Sequence, residues 1–162
     1  MRKLFWVGVL VAVFYGHSYV MFSEPAVMSW LGKQDRLALD GDEKMCDAYA
    51  SDLTVSMKMQ TAEGPMALEG GKPELCDYMK DAQSSLRQMR ASVNMNTELL
   101  SLERAGFPWL TATVKVRQTS TVQMGRMPPL TEEGDATITL KRTLQGRQIV
   151  SIVSSSAVAM AR

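Results

Sequence analysis

A stretch of sixteen residues, 109–124, carries the alternation of apolar and polar side chains that most constrains the fold. The apolar members of its first half are Leu110, Ala112, Val114 and Val116. Period-two alternation predicts a β-strand with one buried and one solvent-facing side. The same phase returns near the end of the stretch, so Gln118 and Ser120 are two polar residues on the inward face. Sixteen extended residues would span roughly 50 Å, which exceeds the width of a small domain. The strand must therefore curve, and its sheet encloses a concave face.

The size and charge of the chain exclude one class of partner. At 162 residues, the chain has room for one domain and a short additional segment. Eighteen basic residues against seventeen acidic residues leave the chain close to neutral. Nucleic-acid binding requires a basic surface, so we expect no nucleic-acid partner.

The N-terminal segment predicts a membrane anchor. Arg2 and Lys3 precede residues 4–22, which contain no Asp, Glu, Lys or Arg. A helix needs about 20 mostly apolar residues to span a bilayer, and the two cations favour a cytoplasmic N-terminus. We therefore expect residues 1–23 to form a signal-anchor transmembrane helix in a bacterial inner membrane, with residues 24–162 as an exported periplasmic domain. A cleaved signal peptide is the alternative.

Hydrophobic periodicity divides the rest of the chain into helices and strands. It predicts helices over residues 25–39, 43–51 and 72–90, with a Ser23 cap on the first and the stripe Leu75, Met79, Ala82, Leu86 and Met89 on the last. It predicts strands over residues 52–60, 66–69, 93–102, 110–124, 136–141 and 149–158, joined by connections at 63–65, 104–108, 125–134 and 145–147. A change of phase at Leu99 and Leu100 is typical of a β-bulge. Apolar residues on both phases of the last strand indicate that it is covered on both sides or pairs with another subunit.

Local motifs accompany this order of elements. A break of acidic and small residues ends the first helix, an acid precedes an alternating strand some ten residues later, and a Gly and a Pro open the long helix. The residues concerned are Trp30, residues 37–39, Asp40, Gly41, Asp42, Asp52, Gly71 and Pro73. The pattern resembles the NTF2-like superfamily, also called SnoaL-like or ketosteroid-isomerase-like, over residues 25–159. The resemblance implies an α+β cone, in which two to three helices cover a curved, mostly antiparallel sheet.

The two cysteines, Cys46 and Cys76, lie on two predicted helices that members of this superfamily pack against the same sheet. In an oxidising compartment, two thiols in a small domain are expected to form a disulfide. Two buried free thiols are the alternative.

Enzymes of this superfamily use a cavity inside the cone, with an Asp or His base and Tyr or Asp donors. The single histidine, His17, lies in the N-terminal segment, where we expect it at headgroup depth. The remaining catalytic candidates are Asp52 and Tyr49, followed by Asp40, Tyr78 and Glu98. Gln118 and Ser120 are candidate ligand-binding residues, or they mark the rim at which the core ends.

Thirteen methionines raise the question of a copper site. Met57 and Met59, however, lie on the apolar phase of a predicted strand, and Met79 and Met89 lie on the stripe of a predicted helix. Core packing explains these positions better than metal ligation, because no histidine accompanies them. We expect no metal and no cofactor.

The superfamily includes enzymes, small-molecule binders and interaction subunits, so the resemblance does not define a function. We expect a membrane-anchored periplasmic domain that is a non-catalytic binding or assembly subunit of an envelope complex. Its expected partners are envelope proteins or a second copy of the chain, a small apolar ligand, and the membrane through residues 4–22. The alternative is a small exported enzyme of the isomerase or hydratase type. An acid deep in an apolar cavity, with a raised pKa, would favour that enzyme.

Overall fold

The computed structural model describes residues 2–61, 64–106, 110–125, 127–144 and 146–160. Its helices are α1 (Arg2–Met21), α2 (Glu24–Asp40), a 3₁₀ helix (Glu43–Ala48) and α3 (Lys72–Gln88). Its strands are β1 (Tyr49–Thr61), β2 (Gly64–Gly70), β3 (Ala91–Ala105), β4 (Thr111–Met124), β5 (Leu130–Thr143) and β6 (Gly146–Met160). Parts of four predicted connections (positions 63, 107–108, 126 and 145) and position 109 of the long stretch lie outside the described residues.

The six strands form one curved sheet in the order β2-β1-β6-β5-β4-β3. Neighbouring strands are antiparallel except β1 and β6, which run parallel. The helices α2 and α3 pack on one face of this sheet, and residues from both helices join the hydrophobic core. The α+β architecture predicted from the sequence, a curved and mostly antiparallel sheet covered by a few helices, is confirmed.

The inward face of β4 lies at the centre of the core. Ala112, Val114 and Val116 are fully buried, as the alternation predicts. Leu110, predicted to face inward with them, is 43% exposed. That prediction is wrong because β4 begins one residue later, and the Leu110 amide bonds to the Gly106 carbonyl in the preceding turn at 3.3 Å.

A bulge in β3 bends the edge of the sheet. The pairing of β3 with β4 changes register between Leu99 and Ser101, which confirms the bulge predicted from the phase change at Leu99 and Leu100. An extra residue on one strand increases the local twist of the pair. The bulge therefore contributes to the curvature that the length of β4 requires.

A second bulge, which the sequence analysis missed, explains the two apolar phases of the last strand. Pairing between β5 and β6 passes from Ile149 directly to Ser151, so Val150 is the extra residue. Because this residue inverts the alternation, Ile149 and Ile152 both pack toward the core. Val153 is 53% exposed, so the prediction that both sides of this strand are covered is wrong within the chain. Pairing with another subunit stays a prediction.

The start of β1 also differs from the prediction. The helix predicted over residues 43–51 is shorter, because the 3₁₀ helix ends at Ala48 and Tyr49 already pairs with Ile149 of β6. β1 therefore begins before Asp52. A register shift after Tyr49 interrupts the alternation, and for this reason the first residues of the strand carry no clear sequence signal.

α2 and α3 begin and end within two residues of their predicted bounds. α2 ends at Asp40 and is capped by Gly41, where a left-handed backbone (φ 65°) lets the amide bond back to the last turn. The predicted side-chain cap at its start is wrong, since the Ser23 hydroxyl donates to the Val20 carbonyl at 2.8 Å instead. α3 ends at Gln88, so Met89, the last member of the predicted stripe, is exposed.

Polar side chains connect α3 to neighbouring elements at both of its ends. Near its C-terminus, Arg87 Nη2 donates to the Asp40 carbonyl at the end of α2, at 2.6 Å. At its N-terminus, Lys72 Nζ donates to the Tyr49 carbonyl of β1 at 2.9 Å. The contact from Arg87 satisfies a carbonyl at a helix C-terminus and places a cation where the helix dipole favours it.

Cys46 of the 3₁₀ helix and Cys76 of α3 form a disulfide, with their Cα atoms 6.1 Å apart. The predicted pairing is confirmed. The two cysteines are 30 residues apart in sequence, and the bond fixes the first turn of α3 beside the start of β1.

Three arginines hold the last turns of α1 against one end of the sheet. Ser18 and Phe22 are fully buried at this contact. Arg142 Nη1 donates to the Ser18 hydroxyl and, at 3.4 Å, to the Phe14 carbonyl. Arg147 Nη1 donates to the Met21 carbonyl at 2.6 Å. Arg104 Nε donates to the Phe22 carbonyl at 2.8 Å. The bonds to the Met21 and Phe22 carbonyls satisfy acceptors at the C-terminus of α1, where the helix itself supplies no donors.

α1 includes nearly all of residues 4–22, the predicted anchor. Several of its large side chains are exposed, namely Val11, Val13, Phe14 and Val20. Among the described residues, no helix combines the length and the apolar character that crossing a membrane demands.

The loop predicted over residues 125–134 is shorter, because β5 begins at Leu130. Gly134 therefore lies inside a strand, directly beside β6. A Cβ atom at this position would come within 2.5 Å of both the Ser155 carbonyl oxygen and the Ser156 Cβ. Only glycine permits the two backbones to approach this closely.

We predict that the double variant Cys46→Ala, Cys76→Ala folds to the same structure with a lower free energy of unfolding. A cross-link that closes a loop of this length contributes about 3–4 kcal/mol by constraining the unfolded chain. Urea denaturation monitored by circular dichroism would measure the loss. Wild-type protein treated with a reductant is the control and should lose the same amount. Equal stability of the variant and the oxidised wild type would contradict the prediction.

Candidate functional site

A cavity of about 300 Å³ lies between α2, α3 and the sheet. It begins where the fully packed part of β4 ends: Val116 is buried, whereas Gln118 lies in the cavity wall. Most of the wall is apolar and includes Leu31, Met57, Leu75, Met79, Ile138 and Ile152. The apolar stripes of both helices therefore face an open space as well as the core.

Asp35, on α2, is the acidic residue among the described residues that line this cavity. Burial raises the pKa of its carboxyl above the usual value of 3.8. The Thr97 hydroxyl, 3.5 Å from Asp35 Oδ2, donates to the carboxylate and lowers the pKa in part. A carboxyl group with a raised pKa in an apolar cleft is suited to exchange a proton with a bound molecule.

Tyr49 contributes a second polar group to the wall. Its side chain is buried, and its phenol donates to the Met79 Sδ atom at 3.4 Å. Burial, and secondly the nearby Asp35 carboxylate, raise the pKa of Tyr49 to about 12. The phenol therefore keeps its proton at neutral pH. Because a thioether is a weak acceptor, a ligand oxygen would make a stronger hydrogen bond with this phenol.

The cavity continues into a more polar space of about 210 Å³, which shares Met57, Tyr78 and Gln118 with it. Ser120 lies in the wall of this outer space, where its hydroxyl donates to Glu132 Oε2 at 3.5 Å. Gln118 thus stands at the junction between the apolar and the polar part. The binding roles expected for Gln118 and Ser120 stay predictions.

The structure separates the catalytic candidates into two groups. Tyr49 and Tyr78 line the cavity. Asp52, Asp40 and Glu98 are exposed and are not among the described residues of its wall. Asp52 lies next to the buried Leu53 on β1, and its own side chain faces solvent.

Asp35 was not among the predicted site residues, although the sequence contains a signal for it. Val27, Leu31 and Asp35 follow one another at intervals of four residues, which places them on the same side of a helix. Val27 and Leu31 belong to the core. An acid on the apolar stripe of a helix is unusual, because an ionised carboxylate is costly to bury. This exception to the pattern could have identified Asp35.

No protein-family model and no curated protein sequence matches the chain. Several solved structures are similar in fold. ActVI-ORFA from Streptomyces coelicolor has a TM-score of 0.60 and 12% identity, over 80% of this chain and 91% of that chain. The beta subunit of the benzoate 1,2-dioxygenase from Burkholderia mallei has a TM-score of 0.56 and 13% identity, over 85% and 91%. An NTF2-like protein of unknown function from Pseudomonas putida has a TM-score of 0.54 and 16% identity, over 82% and 84%.

These similarities confirm the NTF2-like fold that the sequence resembles. The similarity extends over at least 80% of the chain in all three comparisons. At such low sequence identity it defines the fold alone, since one fold hosts many functions.

We predict that Asp35→Asn raises the free energy of unfolding at pH 7. The folded state holds this carboxyl with a raised pKa, so the folded state binds protons more readily than the unfolded chain. Stability in the wild type is therefore lost as the pH rises from below 3.8 through the higher folded pKa. Asparagine does not ionise, so the variant avoids this loss of stability, and its side-chain oxygen still accepts from Thr97. The difference in free energy of unfolding between variant and wild type should vanish below pH 3.8.

Thermal and urea denaturation at pH 3.5 and pH 7 would measure this difference. Asp52→Asn, an exchange at an exposed acid outside the cavity, is the matched control and should change the free energy of unfolding by less than about 0.5 kcal/mol. A variant Asp35→Asn that is less stable than wild type at pH 7 would contradict the raised pKa.

Proposed function

We propose that the chain is a membrane-attached binding domain whose cavity holds one small, mostly apolar molecule. The observation that carries this proposal is the cavity between α2, α3 and the sheet, which is enclosed by apolar side chains and contains a few polar groups. Its volume of about 300 Å³ falls at the lower end of the range for small-molecule sites.

The polar groups support a ligand that carries one hydrogen-bonding end. Tyr49 offers a phenol proton, and Asp35 accepts a proton or a hydrogen bond across the same space. At the other side Gln118 offers an amide next to the polar opening. The apolar part of such a ligand would contact the apolar wall of the cavity. Its oxygen or nitrogen atom would accept a hydrogen bond from the Tyr49 phenol in place of the weak bond to the Met79 sulfur.

A second candidate is an enzyme of the isomerase or hydratase type, and Asp35 favours it. An acid with a raised pKa in an apolar cavity is the feature that would support catalysis. Asp35 meets this description, and Tyr49 is a protonated donor in the same cavity. In this alternative Asp35 removes a proton from a carbon acid while the Tyr49 phenol donates to the oxygen that gains negative charge.

The remaining expectations about location and partners stay predictions. They are attachment to a bacterial inner membrane through residues 4–22, a periplasmic domain, and assembly with envelope proteins or with a second copy of the chain. The exposed apolar side chains of α1 and the Cys46–Cys76 disulfide support an exported, membrane-attached protein.

We predict that Ala82→Leu, which fills part of the cavity from α3, weakens binding of a neutral apolar fluorophore at least tenfold. N-phenyl-1-naphthylamine is a suitable probe, titrated against the full chain in lipid nanodiscs with empty nanodiscs as the blank. Ala82 lines the cavity, whereas Ser84 lies on the exposed side of the same helix. Ser84→Leu is therefore the matched control and should leave the affinity unchanged. Equal affinities of the two variants would refute binding in this cavity.

The enzyme alternative predicts a different behaviour of Asp35→Asn. With a small β,γ-unsaturated cyclic ketone in D₂O, an enzyme would incorporate deuterium, and this variant would lose the reaction at least a hundredfold while keeping its affinity for the fluorophore. Mass spectrometry of the ketone gives the readout. No deuterium uptake above the buffer rate by the wild type would leave the binding domain as the function and exclude this reaction.

A further inference from the structure

One end of the domain, which we call the basal end, combines exposed leucines with arginines. It comprises Leu110, Leu144, Arg104, Arg142 and Arg147. Leu110 lies at the β3–β4 connection and Leu144 at the β5–β6 connection, and the solvent-accessible surface of Leu144 reaches 107% of the reference value. The Arg142 amide, two residues before Leu144, donates to the Leu110 carbonyl at 2.8 Å, so the two connections are adjacent.

α1 joins the domain at this same end. The three arginines that bind the last turns of α1 belong to the basal end, and their guanidinium groups lie against aromatic rings. The distances from guanidinium carbon to ring centroid are 3.9 Å for Arg142 and Phe14, 5.3 Å for Arg104 and Tyr19, and 5.4 Å for Arg147 and Trp30. Tyr19 lies in the last turn of α1, Phe14 lies two turns from its end, and Trp30 lies on α2. An aromatic ring beside a cation near the end of an apolar helix, as Tyr19 is beside Arg104, is typical of the membrane–water interface.

The positive charge of the basal end is not neutralised by carboxylates. Within the described residues, the ion pairs are those that Arg117 forms with Glu133 and Asp135 on the middle of the sheet. The partners of the basal arginines are uncharged carbonyl oxygens, a hydroxyl and aromatic rings.

A surface pocket on α2 adds further cationic side chains next to the basal end. It is lined by Trp30, Lys33, Arg36 and Arg147 together with small and apolar residues, and no described residue of its wall is acidic. Arg147 belongs both to this pocket and to the basal end. Lys33 and Arg36 are exposed, as is Lys141 at the end of β5. Asp35, which directly precedes Arg36 in the chain, lines the cavity, and Glu24 and Glu103 are exposed acids near this end. The cations of the basal end and the pocket outnumber these three acids.

We propose that the basal end rests on a bilayer surface that contains anionic lipids, with Leu144 and Leu110 in the apolar layer and the pocket of Lys33, Arg36 and Arg147 on lipid phosphates. The inference rests on the proposed membrane attachment through residues 4–22 and adds an orientation of the domain to it.

Two independent contributions favour this arrangement. Removing the apolar surface of a leucine from water is favourable, and Leu144 buries none of its surface within the chain. Each Lys or Arg close to an anionic surface strengthens membrane binding about fivefold, which corresponds to about 1 kcal/mol. α1 holds both features at the membrane, so no further entropy of association is lost when the domain docks.

The experiment uses the full chain reconstituted in vesicles, with an environment-sensitive NBD label on the single introduced thiol of Leu144→Cys. Vesicles contain either phosphatidylcholine alone or phosphatidylcholine with 30 mol % phosphatidylglycerol. The matched control is Met127→Cys, because Met127 is also apolar and 61% exposed but lies at the opposite end of the sheet. The proposal expects a blue shift of the label at position 144 in the anionic vesicles only, and no shift at position 127.

A charge variant tests the cationic part separately. In the labelled chain, Lys33→Gln with Arg36→Gln should reduce the docked-to-undocked ratio in anionic vesicles roughly 25-fold, from about fivefold for each cation removed. Lys58→Gln with Lys115→Gln changes the net charge equally on exposed strand positions outside the basal end and should leave the ratio nearly unchanged.

Four outcomes would overturn the proposal. An unshifted label at position 144, in a chain that co-floats with anionic vesicles, refutes docking while leaving membrane attachment intact. Equal shifts in both kinds of vesicle refute the role of anionic lipid, and a shift that appears only after a second protein is added assigns the basal end to that protein. A chain that fails to co-float with any vesicle refutes both docking and membrane attachment. Binding in the cavity is not affected by this result, because the fluorophore titration measures it separately.

Discussion

The packing of the inward face of β4 is the constraint on which the rest of the structure depends. From Ala112 to Val116 the side chains on this face are fully buried, and residues of α2 and α3 belong to the same hydrophobic core. Beyond Val116 the next inward residue is Gln118, and the space in front of it remains open. The same strand therefore supplies both the core of the domain and the wall of its cavity. A continuous apolar phase would have given a longer core and no site.

A half-buried acid distinguishes this cavity from a packing defect. Asp35 is held on an apolar helix face, with one distant hydroxyl as its partner, although such a position disfavours the ionised form. Stability alone gives no reason for a carboxyl group there. The proposed functions give one, because a carboxyl with a raised pKa beside a protonated Tyr49 can hold or move a proton at a bound molecule.

The sequence predicted those parts of the fold that follow from regular periodicity. The alternation of β4, the stripe of α3 and the phase change at Leu99 were each visible because neighbouring side chains share one environment. The pairing of Cys46 with Cys76 followed once a resemblance had placed both helices on one sheet. The fold class was therefore accessible before any coordinates.

The parts that the sequence did not predict depend on contacts between distant segments. The extra residue at Val150 is defined only by its pairing with β5, and Gly134 is required only because β6 passes within reach of its absent side chain. Asp35 becomes a candidate only when α2 is placed over the sheet. Asp52, chosen because it precedes a strand, illustrates that position along the chain does not determine which side of a strand a residue faces.

The parallel pairing of β1 with β6 has a consequence for how the chain matures. β6 is the strand that connects the β1–β2 hairpin to β3, β4 and β5, and its partner Tyr49 precedes Ile149 by a hundred positions. A growing polypeptide without β6 contains two separate sheets, and a two-stranded hairpin is marginal by itself. Pairing over such a separation is slow. Since β6 also supplies part of the cavity wall, the cavity is complete only after β6 has paired with both β1 and β5.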